Sequence, residues 1–304
     1  MRAYDQQRNG CRGQSLRARR PTRRTRAHRY GFARLAEIAD RSYAAKTPQL
    51  TSLKPSDEIL RALFATREAR KDKRAPATTG DPVQKIRDAL LPHYIAQAEA
   101  RVRIAARTEA PFYERLVQFW SNHFAVSIDK PVCLGIAGAL ENEAIRPLVT
   151  GHFSELLRAV EQHPAMIAYL DNQASAGPDS QLARLARPRA NAQRKVGINE
   201  NLAREILELH TLGVDGGYSQ ADVTTFANVL TGWSIGGGEG RLAGGTAGRY
   251  FSARTCINPD PKLSSAGTTH NPAKRRVLRC WRISAGILDG ATSCHQARAP
   301  LHRR

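Results

Sequence analysis

Closely spaced cysteines are missing from this sequence. Its five, Cys11, Cys133, Cys256, Cys280 and Cys294, include no pair about two to four residues apart, so neither a zinc-ligand motif nor a disulfide framework can be read from them. Long apolar runs are missing too. No stretch of about eighteen apolar residues occurs, which excludes a spanning helix. The Arg-rich opening is not followed by the apolar stretch of about seven or more residues that a secretory signal needs. The chain therefore reads as soluble with no readable address, cytoplasmic by default.

Acids are scarce at both ends. Residues 1–30 hold ten Arg against the single acid Asp5, and residues 253–304 hold ten Lys or Arg against Asp260 and Asp289. Of the formal charge of +20, these ends carry +9 and +8, which leaves +3 for residues 31–252. A core that binds nucleic acid should be basic on its own folded surface. Nucleic acid is thus not the expected partner of the core, and only the ends suit it. By composition the chain divides into a basic, disordered arm (1–49), a helical core (50–235) and a Gly-rich, then basic tail (236–304). The Gly-rich run Gly232–Gly245 has no GKS or GKT after it and no strand before it, so it is not a phosphate-binding loop. It is expected to be a flexible linker.

Alternating strand patterns are absent between residues 55 and 232, and helical stripes take their place. Ile59, Leu60, Leu63 and Phe64 form one, with Ser56 or Asp57 as a candidate cap. Residues 84–109 form another, which Pro92 should kink or divide. Pro111 opens a helix whose Phe112, Leu116, Phe119, Trp120 and Phe124 predict one broad aromatic core face. Further helices are expected at about 134–147, 152–161, 164–171 and 200–211, the last stopped by Gly213. Another begins at Gln220, capped by Ser219 and ended by Gly232. Residues 173–198 read as a long surface loop. The fold class is all-α, a multi-helix globular core with disordered basic ends.

Three stretches carry a family resemblance: YERLVQFWSNHFAVS (113–127), HPAMIAYLDNQASAG (163–177) and GINENLAREILELHTLGVDGGYSQADVTTFANVLTGWS (197–234). Together with SDEILRALFATREARK (56–71), they resemble a large bacterial family known as domain of unknown function 1800, over about residues 50–235. The family has no assigned activity, so the resemblance implies no catalytic role for any residue. Its domain normally continues beyond this chain, which implies that the C-terminal end is truncated or read in a shifted frame. Synonymous codons exist with which other frames of Thr269–Thr292 and Ala291–Arg304 spell helix-like strings similar to the family's downstream region. On that reading, residues beyond about 250 should form no packed element continuous with the core.

Chemistry-bearing residues concentrate in ENLAREILELHTLG. Counted as an α-helix, Asn201, Glu205 and Glu208 share one stripe, with Leu202, Ile206 and Leu209 on the next. A buried carboxylate pair of this kind suits a hard cation or a raised-pKa acid. The same positions also fit a surface ladder of Glu200, Arg204 and Glu208. His210 suits either a ligand role or the carbonyl end of its helix. His123 in FWSNHF reads as a ligand, a base or a packed histidine. Asp171 and Asn172, ending a short helix, read as capping groups or site members. Two functions remain open. One is a metal-binding or hydrolytic protein built on His123, Asp171, Asn172, Asn201, Glu205, Glu208 and His210. The other is a non-catalytic scaffold or binding module whose basic ends contact nucleic acid or acidic surfaces. No cofactor, metal or specific partner can be named.

Overall fold

Prolines set where several helices begin. A proline at the first helical position leaves no N–H unpaired and has its φ already fixed, and Pro82, Pro111, Pro131 and Pro164 each open one. The computed structural model describes residues 48–71, 81–186, 197–237 and 244–257. In chain order these form α1 (Pro48–Thr51), α2 (Ser56–Lys71), α3 (Pro82–Arg107), α4 (Pro111–His123) and α5 (Pro131–Leu140). A π-helical turn (Glu141–Ile145) and a 3-10 turn (Arg146–Leu148) prolong α5, and α6 (Phe153–Glu161) and α7 (Pro164–Tyr169) follow. Next come α8 (Gln181–Ala186), α9 (Asn201–Glu205), a second π turn (Ile206–Thr211) and α10 (Gln220–Val229). The fold is all-α, with one small hairpin of β1 (Trp233–Ile235) and β2 (Tyr250–Ser252) among the described residues.

The sequence PVCLGIAGAL is apolar on every side, as a central helix must be. Accordingly α5 lies at the middle of the core, packed by α2, α3 and α7, with Cys133, Leu134, Ile136, Ala139 and Leu140 buried. Gly135 and Gly138 let α3 approach closely. A Cβ at Gly135 would stand 2.7 Å from Leu90, and one at Gly138 would stand 2.6 Å from the Gln97 amide oxygen. Gln97 fills this contact with polar bonds, donating to the Gly135 carbonyl at 3.0 Å and accepting from the Gly138 N–H at 3.1 Å. A buried amide is tolerated there because both its ends are bonded.

Several sequence expectations are corrected. Pro92 does not divide α3, which runs undivided for 26 residues, about 39 Å at the α-helical rise. Pro92 and Asp88, whose carbonyl loses its donor, both lie on the exposed side, where water replaces the missing bond. The aromatic face of α4 is only partly core: Phe124 is buried and Trp120 packs half-buried against the core, but Phe112 and Phe119 are 56% and 60% exposed, and the helix also buries Tyr113, Glu114 and Val117. Neither Ser56 nor Asp57 caps α2 with its own side chain in the expected way. The Ser56 N–H and hydroxyl both donate to Glu143, each at 2.7 Å, and Asp57 accepts from Arg249 at 2.8 Å. A carboxylate distant in sequence thus satisfies the helix start.

The stretch read as a surface loop, 173–198, contains α8 and the buried Ser175, Ala176, Ser180 and Ala183; its residues 187–196 lie outside the described residues. The described glycines of the 232–245 run belong to the hairpin rather than to a linker. Gly236 donates to Arg249 at 2.7 Å, Gly248 donates to Gly236 at 2.9 Å, and the hairpin sits against Asp57 at the start of α2. Residues 250–257 also pack, with Ala253 and Cys256 buried. The expected arm (1–47 of it) and the tail from 258 onward lie outside the described residues. No described helix is long and apolar enough to cross a membrane. The Ser219 cap is found as expected, in a reciprocal capping box with Asp222.

Candidate functional site

The second π turn decides which side chains of ENLAREILELHTLG face the core. At about 100° per residue, α-helical counting sets Leu209 about 60° to one side of Ile206 and His210 about 40° to the other. A π turn closes i to i+5 and spreads one turn over more residues, so each residue rotates less. Leu212 N–H bonds the Leu207 carbonyl at 3.0 Å, and Thr211 Oγ bonds the Ile206 carbonyl at 2.6 Å. His210 is thereby drawn further onto the buried face, 4% exposed, while Leu209 is turned away, 57% exposed. Asn201, Glu205 and Glu208 do not form one buried stripe.

His210 meets a residue that the sequence reading did not single out. Glu161 ends α6, where Leu156, Leu157, Val160 and Glu161 share the buried face. The carboxylate is fully buried, and its Oε1 lies 2.7 Å from His210 Nδ1. With Glu161 ionised, Nδ1–H is the donor. The other oxygen, Oε2, is buried with no hydrogen-bond partner among the described residues, and such an atom calls for an explanation. Burial pushes the Glu161 carboxyl above its ordinary range. The bond and charge of His210 pull it back, Glu205 pushes it further up, and His123 pulls it down.

His123 closes the outer side of this pair. Its Nε2–H donates to the His210 carbonyl at 3.2 Å, and the two imidazole centroids stand 6.0 Å apart. The ring lies parallel to Phe119 and edge-on to Trp120 and Phe124. Trp120 in turn packs on Phe153. Of the aromatics expected in the core, Phe119 therefore lies exposed beside His123, while Phe124 is buried against it.

Of the seven residues singled out from sequence, the structure groups His123, Glu205 and His210 around Glu161. Glu208 instead pairs with Arg204 at 3.0 Å, and Glu200 pairs with the same guanidinium at 3.3 Å, which is the surface ladder. Asp171, in the left-handed region at φ 56°, pairs with Lys130 at 2.5 Å. Asn172 is buried and donates to the Leu230 and Trp233 carbonyls, each at 3.0 Å, so it ties α7 to the hairpin. Asn201 stands exposed at the start of α9, its N–H on Asn199 Oδ1 at 2.9 Å. Among the described residues no group of three or more His, Cys, Asp or Glu side chains is arranged to hold a metal ion.

Two further buried polar networks escaped the sequence reading. Arg146, 1% exposed, bonds Glu114 at 2.5 Å and Glu141 at 3.2 Å, and Arg101 and Ser121 hold the other oxygen of Glu141 at 3.0 and 2.8 Å. Glu143, on the first π turn, joins Ser56 to His163 Nε2 at 3.1 Å, while His163 Nδ1 accepts the Ala165 N–H and so caps α7. Burial pushes Glu143 up, but the bond and charge of His163 and the two bonds from Ser56 outweigh it, leaving the carboxyl below its ordinary range. The available signal was an acid on a core-facing stripe: Glu161 four residues after Leu157, and Glu114 three before Val117.

Comparison with curated proteins finds no match, and neither does comparison with solved structures. One family model does match, over residues 20–293, which extends past both ends of the 50–235 stretch read from the sequence. Because that match spans most of the chain, the protein belongs to the family described as Protein of unknown function (DUF1800).

Proposed function

We propose that this helical core is the framework of an acid–base site, with His210 as the proton-exchanging group and Glu161 as its positioning partner. This is the hydrolytic reading of the sequence. The observation that carries it is the sealed Glu161 carboxylate, bonded through one oxygen to His210 Nδ1 at 2.7 Å and unpartnered, among the described residues, at the other. A carboxylate on Nδ1–H fixes the tautomer, leaves Nε2 as the basic nitrogen and stabilises the imidazolium that forms when Nε2 takes a proton. In a hydrolysis, Nε2 accepts the proton of the attacking water and returns it to the leaving group. His123 holds the end of the π turn through the His210 carbonyl, and so fixes where Nε2 stands. Glu205 adds negative charge that favours the protonated form of the pair. A π turn costs regular helix geometry and is often found at functional sites, and the His210 that meets Glu161 lies in one.

The scaffold reading has its own supporting observation. The Arg146–Glu114–Glu141 network shows that this core also uses buried charge simply to join helices. Hydrolysis of chromogenic ester, phosphate monoester and glycoside substrates, measured in parallel for wild type, His210→Gln and Glu161→Gln, separates the two readings. Turnover lost in His210→Gln and reduced in Glu161→Gln supports the acid–base site. Turnover undiminished in a folded His210→Gln variant contradicts it.

A further inference from the structure

The long helix α3 has two apolar faces, and the core uses one of them. Leu90, Gln97, Ala100 and Ile104 turn inward against α5, while Leu91, Ile95 and Val102 stand 44%, 54% and 68% exposed. With the half-buried Ala98 and the exposed Ala105, these outward residues recur at intervals of four, three, four and three. Such spacing keeps all five side chains within an arc of about 80° on a straight helix. It is also the pattern of a helix that packs along another helix, with Ile95 and Val102 at the a positions and Leu91, Ala98 and Ala105 at the d positions. A continuous row of exposed aliphatic side chains marks an interaction surface.

The charges at the head of the row say what covers it. Asp88 holds the a position one heptad before Ile95, and Arg87 holds the g position beside it. Gln84, at the preceding d position, donates to Asp88 at 2.7 Å and holds the carboxylate over the row. In a parallel helix pair each a side chain enters a hole walled in part by the g residue just before the matching a position of the facing helix. Asp88 therefore meets Arg87 of the partner subunit, and a two-fold axis makes the contact twice. An antiparallel pair that packs Ile95 on Ala98 loses this contact and sets Asp88 opposite Ala105. We propose that α3 pairs in parallel with the α3 of a second copy of this chain, with Leu91, Ile95, Ala98 and Val102 as the seam and Arg87 and Asp88 as its charged head. The β-branched Ile95 and Val102 at a favour two strands over three, and Ala98 at d lets the helices approach closely. Two heptads of one helix bury less than the roughly 1,200 Å² of a stable specific interface, so the dimer dissociates in about the 10–100 μM range.

The test is analytical ultracentrifugation of the full-length protein in reducing buffer, over a concentration series up to about 300 μM, above the dissociation range expected here. Wild type should pass from monomer to dimer as concentration rises. Ile95→Glu with Val102→Glu should remain monomeric throughout. Both side chains are more than half exposed, so the circular dichroism and melting temperature of the dilute variant should match those of dilute wild type. Arg87→Asp sets acid against acid and should weaken the dimer about tenfold or more, and Asp88→Arg should do the same with bases. Arg87→Asp combined with Asp88→Arg restores opposite charges across the seam and should recover the wild-type association. A wild type that stays monomeric overturns the inference, whether the row then binds vesicles of anionic lipid or nothing at all. So does a dimer that survives Ile95→Glu with Val102→Glu, because its contact lies elsewhere. A combined swap no better than either single substitution overturns the parallel pairing.

Discussion

Replacing Glu161 and His210 together should be tolerated far better than replacing either one. The Glu161 carboxylate is fully enclosed and the His210 side chain is 3% exposed, so at the carboxylate water cannot take the place of a lost partner. His210→Leu leaves a buried carboxylate with neither oxygen bonded within the described structure, and an uncompensated buried charge costs about 3–5 kcal/mol. Glu161→Leu leaves a single imidazole N–H unpaired, a cost of about 1–3 kcal/mol. Glu161→Leu with His210→Leu leaves neither group behind and fills similar volume with apolar atoms, so the double variant should lie within about 1 kcal/mol of wild type or exceed its stability by about 1–4 kcal/mol. Against a typical total of about 5–15 kcal/mol, the difference between additive loss and none is large. Urea unfolding followed by circular dichroism, with the slope checked for constancy, measures all three variants. A double variant destabilised by the sum of the singles refutes the view that the pair is an energetic cost kept for chemistry, and makes it a structural tie.

The two perturbed glutamates predict opposite pH slopes. Glu143, held below the ordinary 4.5, binds fewer protons folded than unfolded, so stability should fall as pH drops below that value; Glu143→Gln should flatten this slope. Glu161, pushed above 4.5, binds more protons folded than unfolded, so stability should fall as pH rises from that value through the folded pKa; Glu161→Gln should flatten that one. Unfolding curves at a series of pH values read both, and a slope of the reverse sign in either window sinks the assignment. Phe119→Ala, at a 60% exposed site, should change stability by no more than about 0.5 kcal/mol. Ile206→Ala, at a fully buried one, should cost about 2–5 kcal/mol, and equal losses would mean that the exposed aromatics are covered in solution. Cys133, whose thiol burial pushes up to about 11, should be alkylated at neutral pH only as fast as the protein unfolds; rapid labelling of the native state would contradict its sealed position.

Much of the helical frame was legible because its punctuation is local. Pro111 and Pro131 mark helix starts by covalent geometry, and Ser219 with Asp222 closes a capping box whatever packs against it. The site was less legible because its phase is not local. Nothing in ILELHT announces a π turn, and one turn of i to i+5 bonding moves His210 deeper onto the buried face and Leu209 away from it. Glu161 was overlooked because a glutamate ending an amphipathic helix resembles an ordinary polar terminus, and only the partner at position 210 makes it a buried acid. Phe112 and Phe119 misled for a related reason. Five aromatic or aliphatic residues at helical spacing outweigh Tyr113, Glu114 and Val117 on any apolar count, yet Glu114 is buried because Arg146 is there to bond it.

The central claim concerns one nitrogen atom. Nitrogen-15 NMR of the imidazoles, with His210 assigned by loss of signal in His210→Gln, reports which ring nitrogen carries the proton at neutral pH. The account predicts that His210 Nδ1 is protonated and hydrogen-bonded to Glu161, with Nε2 bare. A His210 protonated on Nε2 alone would contradict it and leave the Glu161–His210 pair as a structural tie.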